Sequence, residues 1–271
     1  MIMAKTEEKP TVEQIKKKFK AYERYYEQLH TDQKNIDEYY ELDFDAGVPE
    51  QYPTRMPDTA RNWVDAGVRH YTLDNPKSKV YLRNDSDAAR SQVALLETFY
   101  NFWLRKDILT IKEAARKLLL RGEVFIEVVM DDTYLGEYSD ERLFHFPLYL
   151  SVLDPITTYC SPAHNGLIPK DIIRSFDITV AEAKAICEEN GWKWSTRKAD
   201  DKLVKWFSYK GPKWRCFMID DEPILPNGVQ PNILGFTNVV HINAGLGRPL
   251  TRVNQNTTCG LSSIPEPICS N

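Results

Sequence analysis

The chain has 271 residues, 42% hydrophobic and 27% charged, an ordinary globular composition that excludes collagen-like, low-complexity and disordered classes. Its 35 Lys and Arg stand against 39 Asp and Glu, a formal charge of -4. A dedicated duplex-DNA binder, which draws most of its affinity from neutralising phosphates, would be clearly basic.

Thr11 is expected to cap a helix with Ile15, Phe19, Tyr22, Tyr26 and Leu29 on one stripe, spaced 4-3-4-3. Lys16, Lys17, Lys20, Glu23 and Arg24 fall on the opposite, solvated side. A second short helix is predicted over Asp32–Leu42, and the three prolines between Val48 and Pro57 read as an extended connector. Next come a helix from Asp58 or Thr59 through Val68 and a short strand over Lys79–Arg83. A long helix capped by Asp85 or Ser86 should turn Ala88, Leu95, Leu96, Phe99, Phe102 and Trp103 inward. Thr110 with Glu113 forms an expected capping box for a helix that stops at Gly122.

From Gly122 onward the pattern becomes strand-like. Strands are predicted over Glu123–Met130, Arg142–Leu153 (weakened by Pro147), Ile156–Cys160 and Lys170–Phe176, with a turn at Asp131-Asp132 and a loop at Ser161–Pro169. Thr179 and Glu182 make a second capping box, for a helix ending at Asn190-Gly191. Leu203–Tyr209, Trp214–Ile219 and Val239–Asn243 complete the strands. Helices first, then a mainly antiparallel strand-rich body with one inserted helix, is an α+β order. Leu96, Phe99, Trp103, Leu119, Phe125 and Ile126 are expected in its core. The expected division is 1–57, helical segment and connector; 58–247, α+β domain; 248–271, irregular tail.

Candidate chemistry is sparse. Asp131 with Asp132, and Asp220, Asp221 and Glu222, could ligate Mg²⁺, yet both clusters fall between predicted strands, where Asp is a good turn residue. His30, His70, His145, His164 and His241 form neither H-x-x-x-H nor H-E-x-x-H, and His145 and His241 lie inside strands as structural imidazoles. Cys160, Cys187, Cys216, Cys259 and Cys269 are odd in number and lack a C-x-x-C spacing, which disfavours disulfides and thiolate zinc and suits a reducing cytoplasm. No G-x-S-x-G elbow or P-loop occurs, and Gly235, Gly245 and Gly247 do not make G-x-G-x-x-G. Trp63, Trp103 and Trp206 read as core, and Trp192 and Trp194 as a half-buried strand about Lys193 rather than a base-stacking platform. Met1–Pro10 has no apolar signal region. The apolar stretches Val93–Leu104 and Phe144–Leu153 fall short of the ~20 residues a membrane span needs. No catalytic, cofactor or metal residue is therefore assigned, and no membrane partner.

The order of local phrases carries a resemblance. Leu118-Leu119-Leu120-Arg121-Gly122-Glu123-Val124-Phe125-Ile126-Glu127-Val128 resembles the segment of tailed-bacteriophage portal proteins in which a helix ends at Gly and a strand follows. Leu153-Asp154-Pro155-Ile156-Thr157-Thr158-Tyr159 is similar to that family's Asp-Pro step, and Val204–Tyr209 to its antiparallel strands. Asn232–Phe236 followed by Val239–Ile242 resembles its Asn-x-Leu-Gly phrase followed by Val-Val-His, with Thr237-Asn238 where the family often has proline. Gly260–Ile268 looks like the entry to its stem helix.

The resemblance implies the outer α+β wing of a ring subunit at a capsid vertex of the virion, assembled in the host cytoplasm. Its expected partners are other portal subunits, capsid and scaffold proteins, the terminase large subunit, tail adaptor proteins, and double-stranded DNA passing without sequence specificity. Such a subunit is structural and not an enzyme, and an acidic balance fits a conduit that must let phosphate slide. The family's stem and clip would follow residue 268, so this chain reads as ending before them, and by itself it is expected to associate only weakly. A metal-dependent nucleic-acid-processing enzyme and an unrelated protein-interaction module stand as the alternatives.

Overall fold

One helix, α1 (Val12–Glu41), occupies the region where two were expected. The polar stretch around residue 31 does not interrupt it, because Thr31 Oγ1 donates back to the Glu27 carbonyl at 2.9 Å and is satisfied within the helix. Its start is the expected one. Thr11 Oγ1 accepts from Gln14 N at 3.2 Å while Gln14 Oε1 accepts from Thr11 N at 2.8 Å, a reciprocal box. The computed structural model describes residues 8–43, 58–72, 79–81, 87–130, 148–161 and 167–243. The Val48–Pro57 connector, Asp85 and Ser86, Asp131-Asp132, Arg142–Pro147 with His145, His164 and the segment from 244 onward lie outside the described residues, as do the side chains of Ala88, Phe99, Phe102 and Trp103.

The fold is α+β. Its chain separates into two units that interleave in sequence: a helix-rich unit drawn mainly from Asp32–Leu153, and a sheet unit drawn from Met1–Thr31 and Asp154–His241.

The helix-rich unit holds the C-terminal part of α1, then α2 (Thr59–Thr72), α3 (Asp87–Lys106) and α4 (Ile108–Arg121). Val64, Val68 and Leu120 are buried together, with Ile36, Tyr40 and Leu119 against them. Close approach is possible because position 67 is glycine: a Cβ there would stand 2.8 Å from Leu119 Cδ1. Helix α4 begins a turn earlier than its sequence suggests. Asp107 is the N-cap, Ile111 N already bonds to the Asp107 carbonyl at 3.0 Å, and Thr110 and Glu113 are helical residues rather than a box. Its end matches the expectation: Gly122, at φ +78°, donates its N–H to the Leu118 carbonyl at 3.0 Å. Strand β1 (Glu123–Met130) follows and pairs antiparallel with β2 (Leu148–Leu153), Phe125 opposite Leu153 and Val128 opposite Leu150.

Two expectations fail here. Residues 79–81 form no strand; instead Val80 N donates to Glu97 Oε1 at 2.9 Å, so a side chain takes the bond a ladder would have made. Leu95 and Leu96 are exposed, not core. Periodicity marks an apolar stripe on α3 but does not say what covers it. Phe125 is fully buried as expected, while Leu119 and Ile126 are half-buried.

In the sheet unit, Asp154 Oδ1 accepts from Ile156 N at 2.9 Å and caps a 3-10 turn, Pro155–Thr157, that feeds β3 (Thr158–Cys160). Strand β4 (Ile172–Thr179) leads into α5 (Val180–Glu189) through the expected Thr179–Glu182 box, both halves of which form. Then come β5 (Leu203–Lys210), β6 (Trp214–Ile219), β7 (Glu222–Pro223) and β8 (Val229–Pro231). The order is β3-β4-β5-β6-β7, with β8 also on β6 and all pairs antiparallel. Alternation along β5 assigns its two faces. Val204 and Trp206 pack with Ile178, Ile219 and the Ala183 and Cys187 side of α5. Phe207 faces the other way and meets Phe19 of α1 edge-on, ring centroids 5.3 Å apart. The sheet is thus covered by α5 on one face and by the first part of α1 on the other. Strand β9 (Val239–Asn243) ends the described chain, and the sheet containing β1 has the order β2-β1-β9.

Candidate functional site

The acidic group Asp220, Asp221 and Glu222 is a hairpin turn. Asp220 (φ +46°) and Asp221 (φ +72°) are both left-handed, the backbone state that a tight two-residue hairpin turn demands and that Asp tolerates. Their charges are already met. Asp220 accepts from Lys205 N at 2.9 Å and pairs with Lys198, and Asp221 pairs with Lys16 at 2.9 Å. The Lys198 ammonium, with the Lys205 N–H, holds the Asp220 carboxyl below the usual carboxylate range. The carboxylates are drawn to lysines rather than converging on one point. Among the described residues no group of three or more His, Cys, Asp or Glu is arranged to hold a metal ion.

The fold does bring together residues that no local spacing announced. Cys160 of β3 and His241 of β9 stand 81 positions apart, yet Cys160 Sγ lies 3.7 Å from His241 Nδ1 and 3.0 Å from Tyr26 OH of α1. The His30 ring stacks on Tyr26 at 5.5 Å and tilts against Tyr159 at 4.9 Å. All five are buried, so the thiol and imidazole are held as interior packing and hydrogen-bonding groups, away from solvent. Beside them, Asp171 is almost wholly buried, accepting from Tyr22 OH at 2.8 Å and pairing with Lys18. Burial and then the Asp171 charge push the Tyr22 phenol far up, so it stays protonated as a donor. Lys16, read from sequence as part of a solvated face, and Lys18 therefore hold α1 to the sheet.

The remaining expected residues fall in ordinary places. Trp206 is buried as expected, as are Cys187 and Cys216; Trp63, expected in the core, is instead exposed, because the face of α2 that is buried is the one carrying Val64 and Val68, and His70 is exposed too. Trp192 and Trp194 alternate in burial about Lys193 without strand pairing. The Trp192 ring stacks on Phe217 at 5.0 Å, so that face is covered by protein.

What the sheet unit does present to solvent is one well-braced apolar turn. Asn232 Nδ2 donates to the carbonyls of Gly211 (2.7 Å) and Phe236 (2.9 Å), and Asn232 Oδ1 accepts from Leu234 N at 3.2 Å. Gly235 takes φ +73° with open space where a Cβ would be. On this frame Ile233, Leu234 and Phe236 are 88%, 50% and 52% exposed. Thr237 Oγ1 donates to the Pro169 carbonyl at 2.5 Å, which ties the turn to the segment carrying exposed Leu167 and Ile168. Sequence reading found the Asn-Ile-Leu-Gly-Phe phrase but not its exposure, since an apolar run ordinarily signals core. No helix among the described residues is long and apolar enough to cross a membrane. No known family model matches the chain, and a search of curated proteins finds no match either.

Proposed function

We propose that this chain is a structural subunit of a tailed-phage portal ring, the conduit at a capsid vertex through which double-stranded DNA is packaged and ejected. One observation carries the reading. Of the phrases that resemble the family, Leu118–Val128 forms a helix stopped at Gly122 that runs into β1, and Val204–Tyr209 lies in the antiparallel β5, which is consistent with the resemblance. The fifth phrase, Gly260–Ile268, lies outside the described residues. The reading assigns the chain no catalytic role. Asp220 and Asp221, in one of the two acidic clusters that could ligate Mg²⁺ by sequence, are committed to lysines in a turn, which weighs against the nuclease alternative. Capsid and scaffold proteins, the terminase large subunit and tail adaptors are its proposed partners.

The test is electron microscopy of the complete gene product, with gold-labelled antibody on capsids. Closed rings with an axial channel and label at a single vertex are expected. Particles that never close, or Mg²⁺-dependent DNA cleavage abolished by Asp220→Asn, would overturn the reading.

A further inference from the structure

Strand register gathers three cations on one face of the sheet unit. Side chains alternate along a strand, so Ser208 and Lys210 share the face of β5 that carries Val204 and Trp206. On that face β4 sets Arg174 against Ser208, and β6 sets Arg215 against Lys210. Lys210 therefore stands directly across from Arg215, about 5 Å apart at Cβ, and diagonally from Arg174, about 7–8 Å away. All three are half-buried, at the end of the face away from the Ile178, Val204 and Ile219 positions that α5 covers. Like charges placed directly opposite in a sheet repel. No carboxylate of these strands answers them: the nearest on the same face, Glu222 across from Ile219, is four residues along from Arg215, about 13 Å at the rise of a strand.

We propose that this face binds an oxyanion, a phosphate group, through Arg174, Lys210 and Arg215. Such a site is independent of any ring the chain forms. Hydrogen-bonding capacity points the same way as charge. Thr158 Oγ1, in the position opposite Arg174, and Arg215 Nε are buried and make no hydrogen bond among the described residues. Buried donors without acceptors cost stability, and a ligand that brings only acceptor oxygens is their complement. Arg174 is already oriented: its guanidinium lies over the Phe176 ring, 4.9 Å from the centroid, which leaves the edge of the fork to bond. An ammonium has three donors and a guanidinium five, so contacts that Arg174 and Lys210 make elsewhere do not exhaust them. A phosphate dianion fits better than a carboxylate, because a single negative charge leaves the repulsion among three cations largely in place.

Thermal unfolding and isothermal titration of the intact chain test the site, with inorganic phosphate and pyrophosphate set against sodium chloride of the same ionic strength. Both oxyanions should raise the unfolding temperature of the wild type above the chloride control. Lys210→Met and Arg215→Met should each weaken pyrophosphate binding at least about tenfold, whereas Lys213→Met, at an exposed lysine in the β5–β6 turn, should leave it unchanged. Without phosphate, Lys210→Met should unfold no lower than the wild type, since it removes one of two facing cations. Displacement of pyrophosphate by a single-stranded oligonucleotide, at matched phosphate concentration, would place the group on a polynucleotide; its failure to displace would make the ligand a free oxyanion. A wild type that phosphate stabilises no more than chloride does would overturn the proposal, as would an equal loss of binding in Lys213→Met. So would a clear drop in the unfolding temperature of Lys210→Met without phosphate, which would mean that a carboxylate already meets that charge.

Discussion

Lys18 and Asp171 are expected to be energetically coupled, and the sign of the asymmetry between them follows from their exposure. The Asp171 side chain is 2% exposed and that of Lys18 is 37% exposed. Lys18→Met leaves a buried carboxylate whose remaining partner is the Tyr22 hydroxyl at 2.8 Å. Stranding a buried charge costs about 3–5 kcal/mol, and because Lys18 already shares its charge with water the lower end, about 3 kcal/mol, applies. Asp171→Asn is the milder change. Its amide oxygen can still accept from Tyr22, and the Lys18 ammonium can turn to solvent, so the loss is about 1–2 kcal/mol, that of a charged hydrogen bond made neutral. The double variant has no stranded charge and should lose about 2 kcal/mol rather than the sum, a coupling of the size seen for residues in contact. Urea unfolding followed by circular dichroism measures all four proteins. A Lys18→Met loss under about 1 kcal/mol, or additivity within about 0.5 kcal/mol, would refute the claim that this pair joins α1 to the sheet.

Two further outcomes follow from the site geometry. Because Lys198 and the Lys205 N–H lower the Asp220 carboxyl in the folded protein, its stabilisation is complete above the unfolded value of about 4 and is lost as pH falls through the folded one. Asn tolerates the same left-handed backbone, so the stability gap between wild type and Asp220→Asn should be level near neutrality and close in acid; a gap unchanged down to about pH 2 would contradict this. Cys160, Cys187 and Cys216 are buried, and burial pushes the Cys216 thiol up to about 11 and the Cys187 thiol up as well. Iodoacetamide at pH 8 should leave all three unlabelled in the native protein and label them in urea, read by peptide mass spectrometry; rapid native labelling of Cys216 would refute its placement.

Most of what depends on residues within one helical turn was legible in the sequence, the Thr110–Glu113 box being an exception because the helix starts earlier, at Asp107. The Thr11 cap, the Gly122 stop, the Thr179–Glu182 box and the stripe Ile15–Phe19–Tyr22–Tyr26 are local, because capping bonds span three residues and a helical face repeats every 3.6. The strands β5, β6 and β9 were legible for the same reason, their alternation being a two-residue property. The two- and three-residue strands β7 and β8 carry too few positions to alternate and were missed.

Only the tertiary structure decided the rest. The turn at Asp220 and Asp221 was legible, but its pairing with Lys16 and Lys198 came only with the folded chain. Cys160 met His241 across 81 residues, and Ile233, Leu234 and Phe236 stayed outside while Trp206 went in. A sequence records which side chains avoid water, but which neighbour covers them is set by packing between segments distant in the chain.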